Sequence, residues 1–556
     1  MKLQKKIVLI LAVALAVLSI TACSGSGSGS ETAETSDGAQ ESTEATEGED
    51  TEEPVELVVA VNGEPRSLDP AFNYEYAAYH VVNHISEALL TFDQTGQLGP
   101  GLAESWEAVD ATTYVYQIRQ GVKFSDGSDL TVEDVIFSLE RLRDPALASD
   151  VNWMFANVDT IEQTNDWEVT VKLTQPDATW QYVPATPGGQ IVSKAYVEEK
   201  GESFGKNDGG TLGAGAYKLE SWTPGSQIIL TRNEYYWNQE DAGAIDKITV
   251  NIIPDSSAIQ LALESGQADL TISSSKAVSD AFIDSSSINI ISTPSIGNFV
   301  FSFNTQKAPF DDVNVRKAIA HAIDNVGIRE SQYGVYALDT TVLPFGEAGY
   351  TPGTAESWIE FAGKLPDYAY NIDKAKEYLA KSGHPDGFTT SLYYKPNPIA
   401  NSAAQAIAAS LKQIGIELEL KQLQLSEYYA YAYGGQITDG IRDYDLGLND
   451  WLPDFPDPVG HLLPQYSSTT TGAGGSNFAA YSNPEVDKLI DAQNATTDPE
   501  ERSKLLKEAF AIAAEDVPYK YLAYPNNTLL LNKKFEYELG TIWIFNFNYK
   551  DIKVVG

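Results

Sequence analysis

Cysteine is nearly absent from this chain: of 556 residues only Cys23 carries a thiol, so no disulfide can form within it. Packing alone must hold the fold. Histidine is scarce too, with five, and neither an HExxH run nor a cysteine pair accompanies them, which leaves little material for a metal centre. His80 and His84 do fall four apart on one helical face, with Glu87 three further on. That spacing suits Zn or Ni, but an amphipathic helix also produces it by accident. Basic residues are outnumbered, 37 against 78 acidic, for a formal charge of −41. Gripping nucleic-acid phosphates needs clustered Lys and Arg, so nucleic acid is excluded as a partner. No P-loop occurs, so any ATP hydrolysis must belong to a partner. Beyond residues 7–20 no stretch is apolar enough to span a bilayer. Gly201-Glu202-Ser203-Phe204-Gly205 matches the G-x-S-x-G pattern, yet a nucleophile elbow needs a strand before the serine and a helix after it. Here the preceding stretch reads as helix and the following one as a glycine-rich loop, so no catalytic residue, cofactor or metal is expected.

What is present begins with an export signal: Lys2, Lys5 and Lys6, the apolar run at 7–20, then small Ala22 before Cys23. The apolar core is shorter than the roughly 20 residues a spanning helix needs, which makes residues 1–22 a cleaved signal peptide. Ile20-Thr21-Ala22-Cys23 resembles the lipobox of bacterial lipoproteins, which implies that Cys23 becomes a lipidated N-terminus. Acyl burial stabilises membrane association by about 0.8 kcal/mol per methylene, and stable anchoring takes about two chains. Residues 24–55 hold ten Asp or Glu and no Lys or Arg among Ser, Gly, Thr and Ala, too little apolar surface to fold. As a flexible tether they would reach roughly 30 Å.

The remaining 500 or so residues exceed what one hydrophobic core normally serves, so two or three lobes are expected. Residues 56–61 read as a buried strand, and a helix follows near 75–90. Thr113 to Arg119 alternates as a strand, Asp126-Gly127 marks a turn, and Thr131 with Asp134 makes a capping-box start. In the helix that follows, Val132, Val135, Ile136, Leu139 and Leu142 share one face. Strands at 227–231 and 247–253 surround a helix near 256–266. A new unit starts near Asn304, with helices near 312–330, 372–382, 399–414, 484–493 and 498–515, and a strand at 417–422. The strands at 527–531 and 542–549 are too apolar for a tail and return to the first lobe. The pattern is mixed α/β, with crossings near 304 and 525 that would act as hinges.

Several separated segments, taken in order, resemble the family 5 extracellular solute-binding proteins, the receptors of oligopeptide and dipeptide importers. They are Lys123-Phe124-Ser125-Asp126-Gly127 with Glu133-Asp134-Val135 and Ser138-Leu139-Glu140-Arg141; Gly215-Ala216-Tyr217-Lys218; Arg232-Asn233 with Tyr236-Trp237; Asp311-Asp312 with Val315-Arg316-Lys317-Ala318; Trp451, Asp454 and Asp457-Pro458; and Tyr481-Ser482-Asn483-Pro484. One departure is Gly213-Ala214-Gly215, where many relatives carry Gly-Thr-Gly-Pro. The resemblance implies a two-lobed periplasmic-binding-protein-like α/β fold (type II, cluster C) with an extra α/β subdomain. Lobe I would comprise 56–90, 211–303 and 525–556, the subdomain 91–210, and lobe II 304–524. It also implies a non-enzymatic, monomeric receptor, lipid-anchored to the outer face of the cell membrane, that delivers short peptides to ABC transporter permease subunits. Oligosaccharides or a nickel complex are the alternative cargo.

In peptide-binding relatives the aspartate three residues after this tryptophan pairs with the ligand's α-ammonium group, and Asp454 occupies that place. Residues 448–455 follow an apolar strand-like run and end in Pro456-Asp457-Pro458, so the carboxylates fall in a loop, where ligand groups often reside. An α-amino group with pKa near 8 stays largely cationic at neutral pH and takes a carboxylate partner. Asp beside proline also caps turns, so a purely structural Asp454 is the competing reading. Trp451 would pack on a ligand side chain or fill the core, and Tyr74 and Trp153 lie in segments expected to border the cleft. Asp450 and Asp457 read as solvated or turn-stabilising. Leu448 stands where some tripeptide-binding relatives carry an arginine, and Arg442 is the nearby cation, so ligand length stays open.

Overall fold

The computed structural model describes residues 54–555 apart from 274, 347–352, 434–436, 439–440, 473 and 541–546. The signal, Cys23 and most of the tether lie outside the described residues, as does most of the expected strand at 542–549. Three sheets carry the body. The first has seven strands in the order Tyr217–Thr223, Gln227–Arg232, Lys247–Ile252, Glu56–Val61, Leu270–Ile272, Asn527–Asn532 and Ile288–Thr293. The second has six: Ala337–Leu338, Tyr519–Pro525, Asn298–Phe303, Leu446–Trp451, Phe388–Tyr394 and Ile416–Gln422. A four-stranded antiparallel sheet, Ala103–Asp110, Thr113–Ile118, Glu168–Leu173 and Val158–Asn165, forms the subdomain.

Local sequence explains these elements. Tyr114, Tyr116 and Ile118 alternate inward along their strand, as a half-buried antiparallel strand requires. Asn298–Phe303 is buried at every position because it lies between two neighbours with both faces covered. The helix Val132–Arg143 opens on a complete capping box between Thr131 and Asp134, which satisfies two otherwise orphaned N–H groups. Val132, Val135, Leu139 and Leu142 are its buried face. The helix expected at 312–330 is two, Val313–Ala322 and Asn325–Gln332, because Asp324 caps a fresh start by accepting from the Gly327 N–H at 2.9 Å.

The chain passes between the first two sheets twice. The strand Asn298–Phe303, expected in lobe I, pairs inside the second sheet, so the first crossing falls between Thr293 and Asn298. The second is a single residue: Tyr519–Pro525 belongs to the second sheet and Asn527–Asn532 to the first. Side chains tie the crossings together. Ser295 Oγ donates to the Pro525 carbonyl at 2.7 Å, and Asn526 Nδ2 donates to Ser292 Oγ at 3.0 Å. The subdomain is fixed to the first lobe by a bidentate pair, Arg141 donating to both Asp69 oxygens at 2.8 and 2.6 Å.

Candidate functional site

The site grows from the end of the strand Leu446–Trp451, which runs between Asn298–Phe303 and the parallel strand Phe388–Tyr394. The chain then turns through residues 452–458 into the helix Val459–Tyr466. This loop touches all three bodies. Leu452 packs against the core of the first lobe, while Phe455 enters the core of the subdomain. There Phe455 stacks on Tyr182 with centroids 5.7 Å apart and meets Trp153 edge-on at 6.3 Å.

Asp454 lies between those two anchors. It is half-buried, and burial pushes its carboxyl up to about 7; its own backbone N–H is the sole group that offers it a hydrogen bond among the described residues. A carboxylate in such a place is costly while it stays unpaired. Asp457, read from the sequence as solvated or turn-stabilising, does stabilise the turn but is not solvated. It is fully buried and accepts both guanidinium nitrogens of Arg502 at 2.7 and 2.9 Å, together with the Tyr182 hydroxyl at 3.1 Å. It also accepts from the Val459 N–H at 2.9 Å, starting the following helix. Asp450 is likewise engaged, as the ion-pair partner of Lys395.

The other sequence-named residues fall around this loop. Trp451 is half-buried, its indole N–H donating to the Gly460 carbonyl at 3.2 Å and its ring edge-on to Phe478 at 6.0 Å. It therefore braces both ends of the loop. Trp153 is 45% exposed, on the short helix Asn152–Phe155, and presents the subdomain's face to Phe455. Tyr74 packs against the cores of the first lobe and of the subdomain, and its buried hydroxyl has no hydrogen-bond partner among the described residues. Arg442 is a clamp rather than a free cation. It is fully buried and donates to the carbonyls of Ala432 at 2.7 Å, Thr471 at 3.1 Å and Gly475 at 2.9 Å.

Sequence reasoning missed Lys395. The parallel register that sets Tyr394 beside Leu448 carries it to the same end of the sheet as Asp450, and burial pulls its amine down to about 8. Nothing local announces it, since the pairing spans more than fifty residues. The remaining motifs are structural. His80 and His84 sit in the first lobe's core, bonded to Tyr549 at 3.2 Å and Asn548 at 3.3 Å, and burial drops their pKa to about 4 and about 3. Ser203 ends a short 3-10 helix and donates to the Lys200 carbonyl at 2.9 Å.

Comparison with known proteins matches this frame. The model of the bacterial extracellular solute-binding proteins, family 5, covers residues 97–473, and the chain belongs to that family. It is thus a two-lobed solute-binding protein. Its relatives include heme-binding protein A of Haemophilus influenzae, 27% identical over 83% of this chain and 85% of the relative. The glutathione-binding protein GsiB of Salmonella typhimurium is 27% identical over 90% of this chain and 94% of its own. Among solved structures, the periplasmic binding protein DppA of Helicobacter pylori, in complex with the peptide STSA, superposes with a TM-score of 0.77 at 26% identity, covering 90% of this chain and 98% of that one.

Proposed function

We propose that this protein is the receptor of an ABC importer and that it captures short peptides where the Asp454 loop meets the first lobe and the subdomain. The observation that carries the reading is Asp454: a half-buried carboxylate without a partner, on a loop whose neighbouring carboxylates at 450 and 457 are both paired. A peptide's ammonium group supplies the missing charge, and a neutral oligosaccharide does not. The relatives' peptide cargo is consistent with this, and Lys395 adds a cation at the same end of the sheet.

Binding then follows a simple order. The ammonium group pairs with ionised Asp454, Trp153 and Trp451 flank the first side chain, and closure at the two tied crossings excludes water, which strengthens the pair. Because the empty site holds Asp454 near pKa 7, binding at pH 6 releases a proton. Lipidation at Cys23 would keep a monomeric receptor on the outer face of the cell membrane while the acidic tether lets it reach the permease.

Calorimetry with a tripeptide and its N-acetylated form tests this. The free amine should bind tightly, and acetylation or Asp454→Asn should weaken binding by about 2–5 kcal/mol. Equal affinity for the free and acetylated peptides would remove the amine anchor.

A further inference from the structure

The helix Leu425–Ala432 carries large apolar side chains on two faces. Tyr428, Tyr431 and Ala432 are buried, and the Tyr428 hydroxyl donates to Asn449 Oδ1 at 3.1 Å, which ties the helix to the strand Leu446–Trp451. The outer face repeats every four residues: Leu425 is 49% exposed, Tyr429 52% and Tyr433, at the helix's C-cap, 38%. Side chains four apart lie next to one another on a helix, and the Tyr429 and Tyr433 rings stand 6.2 Å apart. A surface helix normally turns polar residues outward, so a stripe of this kind marks a face that something else covers.

The stripe is continuous with the Asp454 loop at both ends. Tyr433 meets Phe478 edge-on at 6.1 Å, and Phe478 meets Trp451 edge-on at 6.0 Å. Phe478 is buried, so it is the shared footing of the two rings and not itself part of the surface. Resting on one neighbour, Trp451 and Tyr433 stand no more than about 12 Å apart, the span of three to four residues of extended chain at roughly 3.3 Å each. The Tyr433 carbonyl accepts the Gly474 N–H at 2.7 Å, which fixes this end of the helix to the segment leading into Phe478. The Leu425 end starts where the Leu423 N–H donates to the Tyr394 carbonyl at 3.0 Å, at the end of the sheet that carries Lys395 and Asp450. Although more than a third of Tyr433 is open to water, burial pushes its hydroxyl above the ordinary tyrosine range. A ring that water reaches while protein surrounds it lines a recess, which admits an extended chain and its side chains better than a flat protein face.

On the peptide reading of the Asp454 loop, we infer that Tyr433 and Tyr429 form an outer subsite for peptides longer than three residues, which takes apolar and above all aromatic side chains. With the first side chain at Trp451, the spacing brings the side chain near the fourth position to Tyr433, and one about two residues further on to Tyr429. Ring contacts with the two tyrosines and the covering of their exposed carbon both favour such a ligand. A tripeptide ends before the stripe and gains nothing from it. The site thus selects by length first and by side chain second.

The test is calorimetry of the purified full chain with three free-amine peptides: trialanine, hexaalanine, and the same hexapeptide with phenylalanine at its fourth and sixth positions. The phenylalanine peptide should bind about tenfold more tightly than hexaalanine, as two added ring contacts give. Tyr429→Ala combined with Tyr433→Ala should erase that preference and leave trialanine affinity unchanged. Tyr429→Ala alone, at the more exposed position, should lose part of the preference in a protein that melts like the parent. The subsite is overturned if trialanine binds while the two hexapeptides bind the parent equally, or if the double variant keeps the preference. It is also overturned if the unliganded chain sediments as a dimer that Tyr429→Ala dissociates, since a second copy then covers the stripe. Failure of all three peptides to bind removes the Asp454 anchor itself, and the subsite falls with it.

Discussion

Asp454 and Asp457 stand three residues apart on one loop and live in opposite circumstances. The Asp457 end is closed: Arg502 grips both oxygens, and Tyr182 reaches in from the subdomain. The Asp454 end is open, with the same side chain, dense surroundings and, among the described residues, no cation beside it. The paired acid ties the loop to Arg502 and Tyr182, and the unpaired one carries the cost of its burial. The difference lies in which partner the fold brings to each, because the residue type is the same.

The largest effect should come from breaking the closed end. Arg502→Met leaves a buried carboxylate uncompensated and should cost about 3–5 kcal/mol of folding stability in urea titration. Adding Asp457→Asn to that variant should recover much of the loss. If Arg502→Met alone were neutral, the two ends of the loop would not differ in kind.

The open end should respond with the opposite sign. A carboxyl held near 7 in the folded chain and about 3.9 unfolded keeps its proton longer when folded, so stability falls as pH rises between those values. Asp454→Asn removes that penalty. Without ligand, the variant should match the parent at pH 4 and be more stable at pH 8 by on the order of 1–3 kcal/mol, read from thermal melts in both buffers.

Smaller effects sharpen the link to the subdomain. Tyr182→Phe keeps the stack on Phe455 and deletes one hydrogen bond to Asp457, so it should cost about 1 kcal/mol. Trp153→Ala, at an exposed position, should change stability by no more than about 0.5 kcal/mol. Its effect should instead appear in peptide affinity, because the lost surface faces the Asp454 loop.

Much of the fold was legible from local signals. The capping box at Thr131, the inward faces of 113–118 and 132–143, and the run of helices from 372 to 516 follow from spacing and caps that neighbours in sequence provide. The strand and loop around Asp454 were legible for the same reason. What was hidden depended on distant pairing. Arg502 reaches Asp457 across 45 residues and Lys395 reaches Asp450 across 55, and neither carries a mark of its partner in its own neighbourhood. Arg442 misled because a lone arginine near a loop looks available, whereas here backbone carbonyls enclose it. The boundary at 304 came late because Asn298–Phe303 is buried on both faces, and such a strand suits the middle of either sheet.

The strand Asn527–Asn532 lies inside the first sheet, between Leu270–Ile272 and Ile288–Thr293. A growing polypeptide cannot zip that sheet shut until almost all of it has been synthesised. Before then five of its strands can join while Ile288–Thr293 is left without its neighbour, and an open seam runs between them. Shortening the chain to before residue 527 would leave the seam permanently open, however complete the rest of the molecule.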